Sequence, residues 1–449
     1  MPFSDLRDLL EHFRERDELY EVDEELSPRF EVSSIIWGLS ERLRKALLFP
    51  KIKGYGIPLA ANVVFARKVI STAMGVTEEQ LETAFGERLK QSIKPVSVAH
   101  GPVKEKPGSG DLAQVLPILT HYKGDSNAFI TTGLVSARDP DSGLTARGIH
   151  RMELRGPNEL GMALLNPPLT DIYGKFKEQG RPMPVAVVIG VEPLTFLSFA
   201  LRVPPGVDKL ELAGGLRGEP VEITPGELTG IEVPARAEFL LEGKLDPRDE
   251  RKDGPLGEIC GYYLQVPSTP TFKVERIWHR TSPIYHALLP RSREADLMLT
   301  LVAEAIFSPR IRELFPFVKD FAFTPHTFGS SLVVKVKETS GEDVRALIVH
   351  LLSLGMIKKV VVVDEEVDIQ NGWEVDWAVV TRCQPMEDVI IVDGLKGQAI
   401  DPSSSRPPRT SKIGIDATGF ERVKGWERVS FPKEAEEKAA SYMSKLLRQ

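Results

Sequence analysis

Apolar residues recur at Leu6, Leu9, Leu10 and Phe13 behind Ser4, a spacing of three and four that predicts an opening amphipathic helix capped by Ser4. The same period over residues 31–47 predicts a second helix. An apolar run at 58–64, bounded by Gly and Pro, reads as a short strand, and 67–74 begins another helix. This alternation is that of an α/β unit. From 96 to 111 the chain (VSVAHGPVKEKPGSGD) loses its apolar period and fills with Gly, Pro and Lys, so a domain crossing is expected there and a first domain over 1–105.

Between 128 and 264 the pattern changes to short β-rich runs at 129–136, 149–154, 185–191 and 239–241, with one helical stretch at 169–179. Closely spaced strands of this kind predict a barrel or sandwich, assigned to a domain over 106–325. Further on, 332–337 alternates, Ser340 caps a helical stretch through Leu354, Gly355 ends it, and 356–363 is apolar apart from two lysines. That is a βαβ unit, placed in a third domain over 326–449. The segment DPSSSRPPRT from Asp401 reads as a loop. At the end Ala435, Ala439, Met443 and Leu447 stand four apart, an amphipathic helix that packs on its own domain, the commoner arrangement, or docks on a neighbouring subunit. The fold class is therefore α/β in the wide sense that includes α+β.

A chain of 449 residues exceeds the roughly 250–300 at which single cores stop growing, so several domains are required. Hydrophobic residues at 42% and charged ones at 27% predict a chain folded throughout. The net charge of −7, with both signs interspersed, offers no field for a nucleic acid. Charges every few residues in MPFSDLRDLLEHFRERDELYEV leave no room for a signal peptide or a membrane span, and a cytoplasmic protein is expected. Cys260 and Cys383, far apart, support neither a disulfide framework nor a zinc motif.

In DGPLGE, Asp253 and Glu258 flank a tight Gly-Pro-Leu-Gly turn, where two carboxylates can converge and push their proton affinities apart. The residues alone favour a solvated turn over catalysis. Arg151 lies in an alternating stretch, GIHRMEL, where a guanidinium could hold a carboxylate in two-pronged fashion or could simply face solvent. His121, His150, His279 and His286 show no metal-binding spacing and read as structural or surface residues. Neither a P-loop nor a dinucleotide fingerprint is present.

Seven segments stand in a telling order: GYGIPLAANVVFARKVISTAMG, GDLAQVLPILTHYKGDSNAFITTG, ARDPDSGLTARGIHRMEL, VPARAEFLLEG, DGPLGEICGYY, EVDWAVVTRCQP and SKIGIDAT. Together they resemble the UbiD family, enzymes that add or remove carbon dioxide with prenylated flavin mononucleotide. The resemblance covers nearly the whole chain. It implies an N-terminal α/β domain, a central split β-barrel holding the flavin, and a C-terminal α/β domain whose last helix often mediates oligomerisation. It further implies a homodimer or hexamer, a small carboxylic acid substrate that is unsaturated or aromatic, and a flavin prenyltransferase as the source of the cofactor.

Mapped by motif, the resemblance assigns catalysis to Arg151, Asp253 and Glu258: Glu258 donates the proton that replaces carbon dioxide, Arg151 organises the carboxylates and meets the substrate acid, and Asp253 braces Arg151. Asp253 stands where many relatives carry Glu, one methylene longer. Ile149 matches a position whose backbone lies along the flavin, and equally a barrel-core residue; Lys412 matches a lysine near the flavin phosphate. The family holds that phosphate through a divalent metal on Asn, His and Glu. Here Ala146, Pro168 and Lys209 occupy those positions, so no metal is predicted. Lys209, with Arg147 and Lys412, could neutralise the phosphate instead, or selection for the cofactor has lapsed. The alternative functions are a non-catalytic paralogue that scaffolds a partner and a binder of another phosphorylated ligand.

Overall fold

In a computed structural model, describing residues 3–446 other than 109, 205, 406, 407 and 421, the opening helix Leu6–Glu15 buries Leu6, Leu9, Leu10 and Phe13. Its cap is Asp5 rather than Ser4: the Asp5 carboxylate accepts from the N–H groups of Arg7 and Asp8. The second helix, Glu31–Ser40, stops short of the expected end, and Ala46–Phe49 is a strand. Leu47 and Phe49 enter one core while Ala46 and Leu48 enter another, so four consecutive apolar residues are buried on both faces. That strand sits in a four-stranded sheet with Leu19–Glu21, Leu59–Ala61 and the distant Tyr285–His286. Helix Arg67–Met74 forms where predicted, and Gly75 closes it at φ +66°, a left-handed cap that glycine adopts without strain.

The Gly/Pro-rich crossing is stitched to two sheets: Val96–Ser97 pairs with Glu222–Pro225, and Lys106–Pro107 with Tyr263–His279. A nine-stranded sheet follows, curled, in the order Phe129–Ile130, Met152–Gly156, Glu159–Met162, Tyr263–His279, Phe239–Gly257, Met183–Ile189, Leu134–Arg138, Thr145–Ile149, with Lys106–Pro107 at the side. The run at 239–241 is only the start of a 19-residue strand, which pairs antiparallel with a 17-residue one through four register shifts. Along Met183–Ile189, Ala186 and Val188 feed one core while Val185, Val187 and Ile189 feed the other, so both faces are covered.

Helix Arg293–Leu314 is not foreshadowed by any apolar stripe, because Glu294, Asp296 and Glu304 are buried within it. It carries Leu301 and Val302 into the first core and Ala303 and Ile311 into the third. That third core lies under a five-stranded sheet ordered Val318–Phe323, Ser331–Val336, Lys359–Asp364, Arg409–Asp416, Val389–Lys396. Ser340 caps helix Gly341–Ser353 by accepting from Asp343 N–H, as its position predicts. The terminal helix Lys433–Leu446 departs from expectation: every side chain described in it is exposed, Tyr442 and Met443 included.

Candidate active site

Arg151 occupies a break between the strands Thr145–Ile149 and Met152–Gly156, which frees its side chain from the alternation of either. From there it reaches the far end of the long hairpin. Nε and Nη2 both donate to Asp253 Oδ1, at 2.9 and 2.5 Å, and Nη1 donates to Glu258 Oε1. Gly254 between those acids adopts φ +81°, and a Cβ there would stand 2.8 Å from Leu264 O and 3.4 Å from Arg151 Nη2. The three sequence-predicted groups therefore form one hydrogen-bonded chain. Their side chains are graded in depth, 0% exposed at Asp253, 10% at Arg151 and 22% at Glu258.

Burial pushes the Asp253 carboxyl up and Arg151 pulls it back only in part, with Glu153 adding to the rise. For Arg151, burial opposes the charge, but Asp253 and Glu258 outweigh it and hold the guanidinium above its ordinary value. The Phe129 ring lies 5.9 Å from the guanidinium carbon.

Sequence reasoning missed the groups that hold this chain in place. Asp125 accepts from the backbone N–H groups of His121, Tyr122 and Gly257 at 2.8–2.9 Å, so it ties its own loop to the residue before Glu258. Gly257 must be glycine for that approach, since a Cβ would fall 2.3 Å from Tyr122 Cδ2. Glu153 accepts from Ser126 Oγ, Asn127 Nδ2 and Gly254 N–H. Arg155 donates to Thr269 Oγ1, Thr271 Oγ1 and the carbonyls of Arg251 and Lys252, fixing the irregular end of the hairpin. The acids sit inside the GDSN and HRMEL segments, but nothing in their spacing discloses the distant backbone partners Gly257 and Gly254.

Ile149, two residues before Arg151, lines a cleft of ≈540 Å³ together with Arg147, His150, Pro168 and Lys209. Phe199, Leu169, Leu201, Val203 and Leu299 give it apolar walls suited to a flat aromatic ring system. Lys209 opens helix Lys209–Arg217, and its buried ammonium donates to Phe199 O at 2.7 Å; burial pulls it down to about 8. Arg147 gives four of its five N–H groups to Asp208, Ser136 Oγ and Glu232 O, the shorter Asp208 bond at 2.8 Å. His150 sets Nδ1 2.9 Å from Ala163 O, and burial lowers it to about 4. A carbonyl only accepts, so Nδ1 carries the proton. Lys412 is not brought to this cleft: buried in the C-terminal sheet, it donates to Leu354 O at 2.6 Å.

The residues at the family's metal positions do not fit a divalent cation. Ala146 and Pro168 offer no side-chain donor atom and Lys209 offers a positive charge. Among the described residues no group of three His, Cys, Asp or Glu could hold a metal ion. His121 and His286 are buried with no hydrogen-bond partner for either ring nitrogen among the described residues, and burial lowers them to about 3 and about 4.

Three family models match in succession: the 3-octaprenyl-4-hydroxybenzoate carboxy-lyase N-terminal domain over residues 10–89, its Rift-related domain over 94–293 and its C-terminal domain over 297–417. The UbiD-class enzyme HmfF from Pelotomaculum thermopropionicum, solved in complex with FMN, superposes with a TM-score of 0.92 at 34% identity, covering 98% of this chain and 100% of that one. Vanillic acid decarboxylase from Sedimentibacter hydroxybenzoicus, at 26% identity and full coverage of both chains, gives 0.85 in its open form and 0.80 in its closed form. The anhydromevalonate phosphate decarboxylase of Methanothermobacter thermautotrophicus is 29% identical over 92% of this chain and 97% of its own. Three consecutive domain matches and end-to-end superposition on enzymes of this class place the chain in the UbiD family of carboxy-lyases.

Proposed function

We propose that the chain is a non-oxidative decarboxylase of an unsaturated or aromatic carboxylic acid, with prenylated FMN as cofactor and Asp253, Arg151 and Glu258 as its acid-base chain. The observation that carries this reading is the graded burial of that chain. Asp253, sealed from solvent, can only neutralise and orient Arg151. Glu258, the outermost member, is the one carboxyl able to meet a substrate, and it lies on a loop whose backbone Asp125 fixes. Arg151 stays protonated between them, its charge offset by Asp253, so a substrate acid meets a hydrogen-bond donor rather than a second carboxylate.

The cofactor supplies an electron sink for the pair released as carbon dioxide departs. Glu258 then delivers a proton to the carbon that carried the carboxylate, restoring one C–H bond for the C–C bond lost. Ile149 and the apolar cleft walls are the residues that would hold the ring system beside Arg151. A relative of the same class, an evolved dimeric HmfF, is solved with prFMN, which supports this choice of cofactor; it would come from a flavin prenyltransferase. No helix among the described residues is long and apolar enough to cross a membrane.

The test is to co-express the protein with a flavin prenyltransferase and screen unsaturated and aromatic acids for carbon dioxide release. Turnover that disappears in Glu258→Gln, with the melting curve unchanged, supports the assignment; a variant as active as wild type removes it.

A further inference from the structure

The cleft beside Ile149 carries a charge pattern opposite to that of a divalent-metal site. Its charged lining residues are Arg147, Arg202 and Lys209, with no Asp or Glu among them, and Arg147 is itself paired with Asp208. Hard cations are held by oxygen donors, carboxylates foremost, and a fixed ammonium at the same point repels them.

Lys209 is under-compensated where it stands. Its ammonium is buried and makes one hydrogen bond, to Phe199 O near the carboxyl end of helix Pro193–Ala200, where the helix dipole favours a cation. No carboxylate among the described residues lies within ion-pair distance of it. The adjacent acid, Asp208, is committed to Arg147 at 2.8 and 3.3 Å and to the Leu210 N–H. A buried charge in this condition is costly unless a counter-ion arrives, which is why burial depresses its proton affinity. Two of its three N–H groups remain for such a partner.

The neighbouring His150 adds no charge. It gives its Nδ1 proton to Ala163 O, so its Nε2 is an acceptor and meets a phosphate only at a protonated oxygen; a Cβ at Gly148 would stand 2.8 Å from that atom. Asn166 and the exposed Arg202 complete the polar rim.

We infer that this cleft seats the phosphate of the flavin mononucleotide directly, without a divalent cation, the Lys209 ammonium standing where the family pattern places the metal. The inference rests on the flavin reading above. It makes flavin capture a matter of one lysine rather than of metal supply, and it makes Lys209 a ligand-binding residue rather than the mark of a decayed site.

The test titrates the purified full-length protein with FMN and with riboflavin, following flavin fluorescence, in EDTA and with added Mn²⁺. FMN affinity is expected to be the same in both buffers, and riboflavin to bind at least about tenfold more weakly, the scale of one charge-assisted phosphate contact. Lys209→Met should weaken FMN about tenfold or more, leave riboflavin unchanged, and melt no lower than wild type because it removes a buried charge; Lys209→Arg should recover part of the affinity. FMN binding that needs Mn²⁺, or that survives Lys209→Met unaltered, overturns the inference. Inorganic phosphate, followed by its phosphorus resonance, separates the two readings: broadening in wild type but not in Lys209→Met, with no FMN binding, would keep the phosphate seat and discard the flavin. Binding of neither probe discards both.

Discussion

Arg151 aims two of its nitrogens, Nε and Nη2, at a single oxygen of Asp253, leaving the buried Oδ2 without a partner among the described residues. A side-on pair would use both oxygens. The short acid reaches Arg151 by one corner. Asp253→Asn keeps the shape but removes the charge that balances Arg151 in the interior. Its expected effect is a fall in kcat of about 100-fold with KM little changed, as for a group that positions another. Steady-state kinetics beside a melting curve decide it: an equal loss in KM alone would mean that Asp253 serves binding.

Glu258 needs a different argument, because it is the member of the chain within reach of solvent and so contributes little to stability. Glu258→Gln preserves the hydrogen bond to Arg151 through its carbonyl oxygen while removing the transferable proton. Loss of turnover by about 1000-fold or more is expected with the melting temperature unmoved, as for a general acid with no substitute. A variant that also unfolds early would show that Glu258 holds its loop instead.

Asp125 holds that loop. Its carboxylate satisfies three backbone N–H groups, so Asp125→Ala strands them in a buried setting. A loss of about 3 kcal/mol in denaturant unfolding is expected, together with reduced kcat as Glu258 loses its fixed position. Normal stability with normal activity would mean that water replaces the carboxylate at no cost.

How far the sequence reveals all this depends on where the signal resides. Helices Arg67–Met74 and Gly341–Ser353 were readable because a local cap and a local period specify them. Ala46–Phe49 was not, because burial on both faces erases the alternation that distinguishes a strand from the end of a helix. The strand Phe239–Gly257 hides behind its charged stretch from Asp246 to Asp253, which lies at the irregular end of the hairpin where Arg155 and the register shifts hold it. At the site, Arg151, Asp253 and Glu258 were found through segment order, and the structure joins them. Asp125 escapes because its backbone N–H donors have no residue identity to recognise, and Glu153 because Ser126, Asn127 and Gly254 meet it only in the fold. The sequence sets Arg147 beside Lys209 only as help for a phosphate, and the structure gives four of its five N–H groups to Asp208, Ser136 and Glu232.

Glu294 makes stability depend on pH. Fully buried at the start of helix Arg293–Leu314, it accepts from the Val64 N–H at 2.8 Å, joining that helix to the turn before Arg67–Met74. Burial pushes its carboxyl from 4.5 up to about 7, although the N–H groups of Val64, Asn62 and Val63 pull it down. The folded state therefore holds this proton more tightly than the unfolded one. Its contribution is fully present below about pH 4.5 and is lost as pH rises through 7, by roughly 3 kcal/mol in all. Glu294→Gln retains the acceptor and cannot ionise, so it should match wild type at pH 5 and melt higher at pH 8. Parallel melting curves across that range would place the proton elsewhere.

Among the described residues, the terminal helix Lys433–Leu446 leaves every side chain exposed through Met443. Tyr442 and Met443 are both more than 60% exposed, and Trp426, Val429 and Phe431 on the approach to it are exposed further still. Large apolar groups gathered so densely are the usual mark of an association surface. A second copy of the chain is the partner expected, since a segment that protrudes from one subunit and lies on its twin closes a symmetric pair. Truncation after Pro432 should convert the assembly to monomers in light scattering while leaving Arg151, Asp253 and Glu258 untouched, for they lie in the central domain. Activity per subunit then reports whether pairing is needed for chemistry. An oligomer of unchanged mass after truncation would exclude the helix from the interface and leave Trp426 and Phe431 as the residues to replace next.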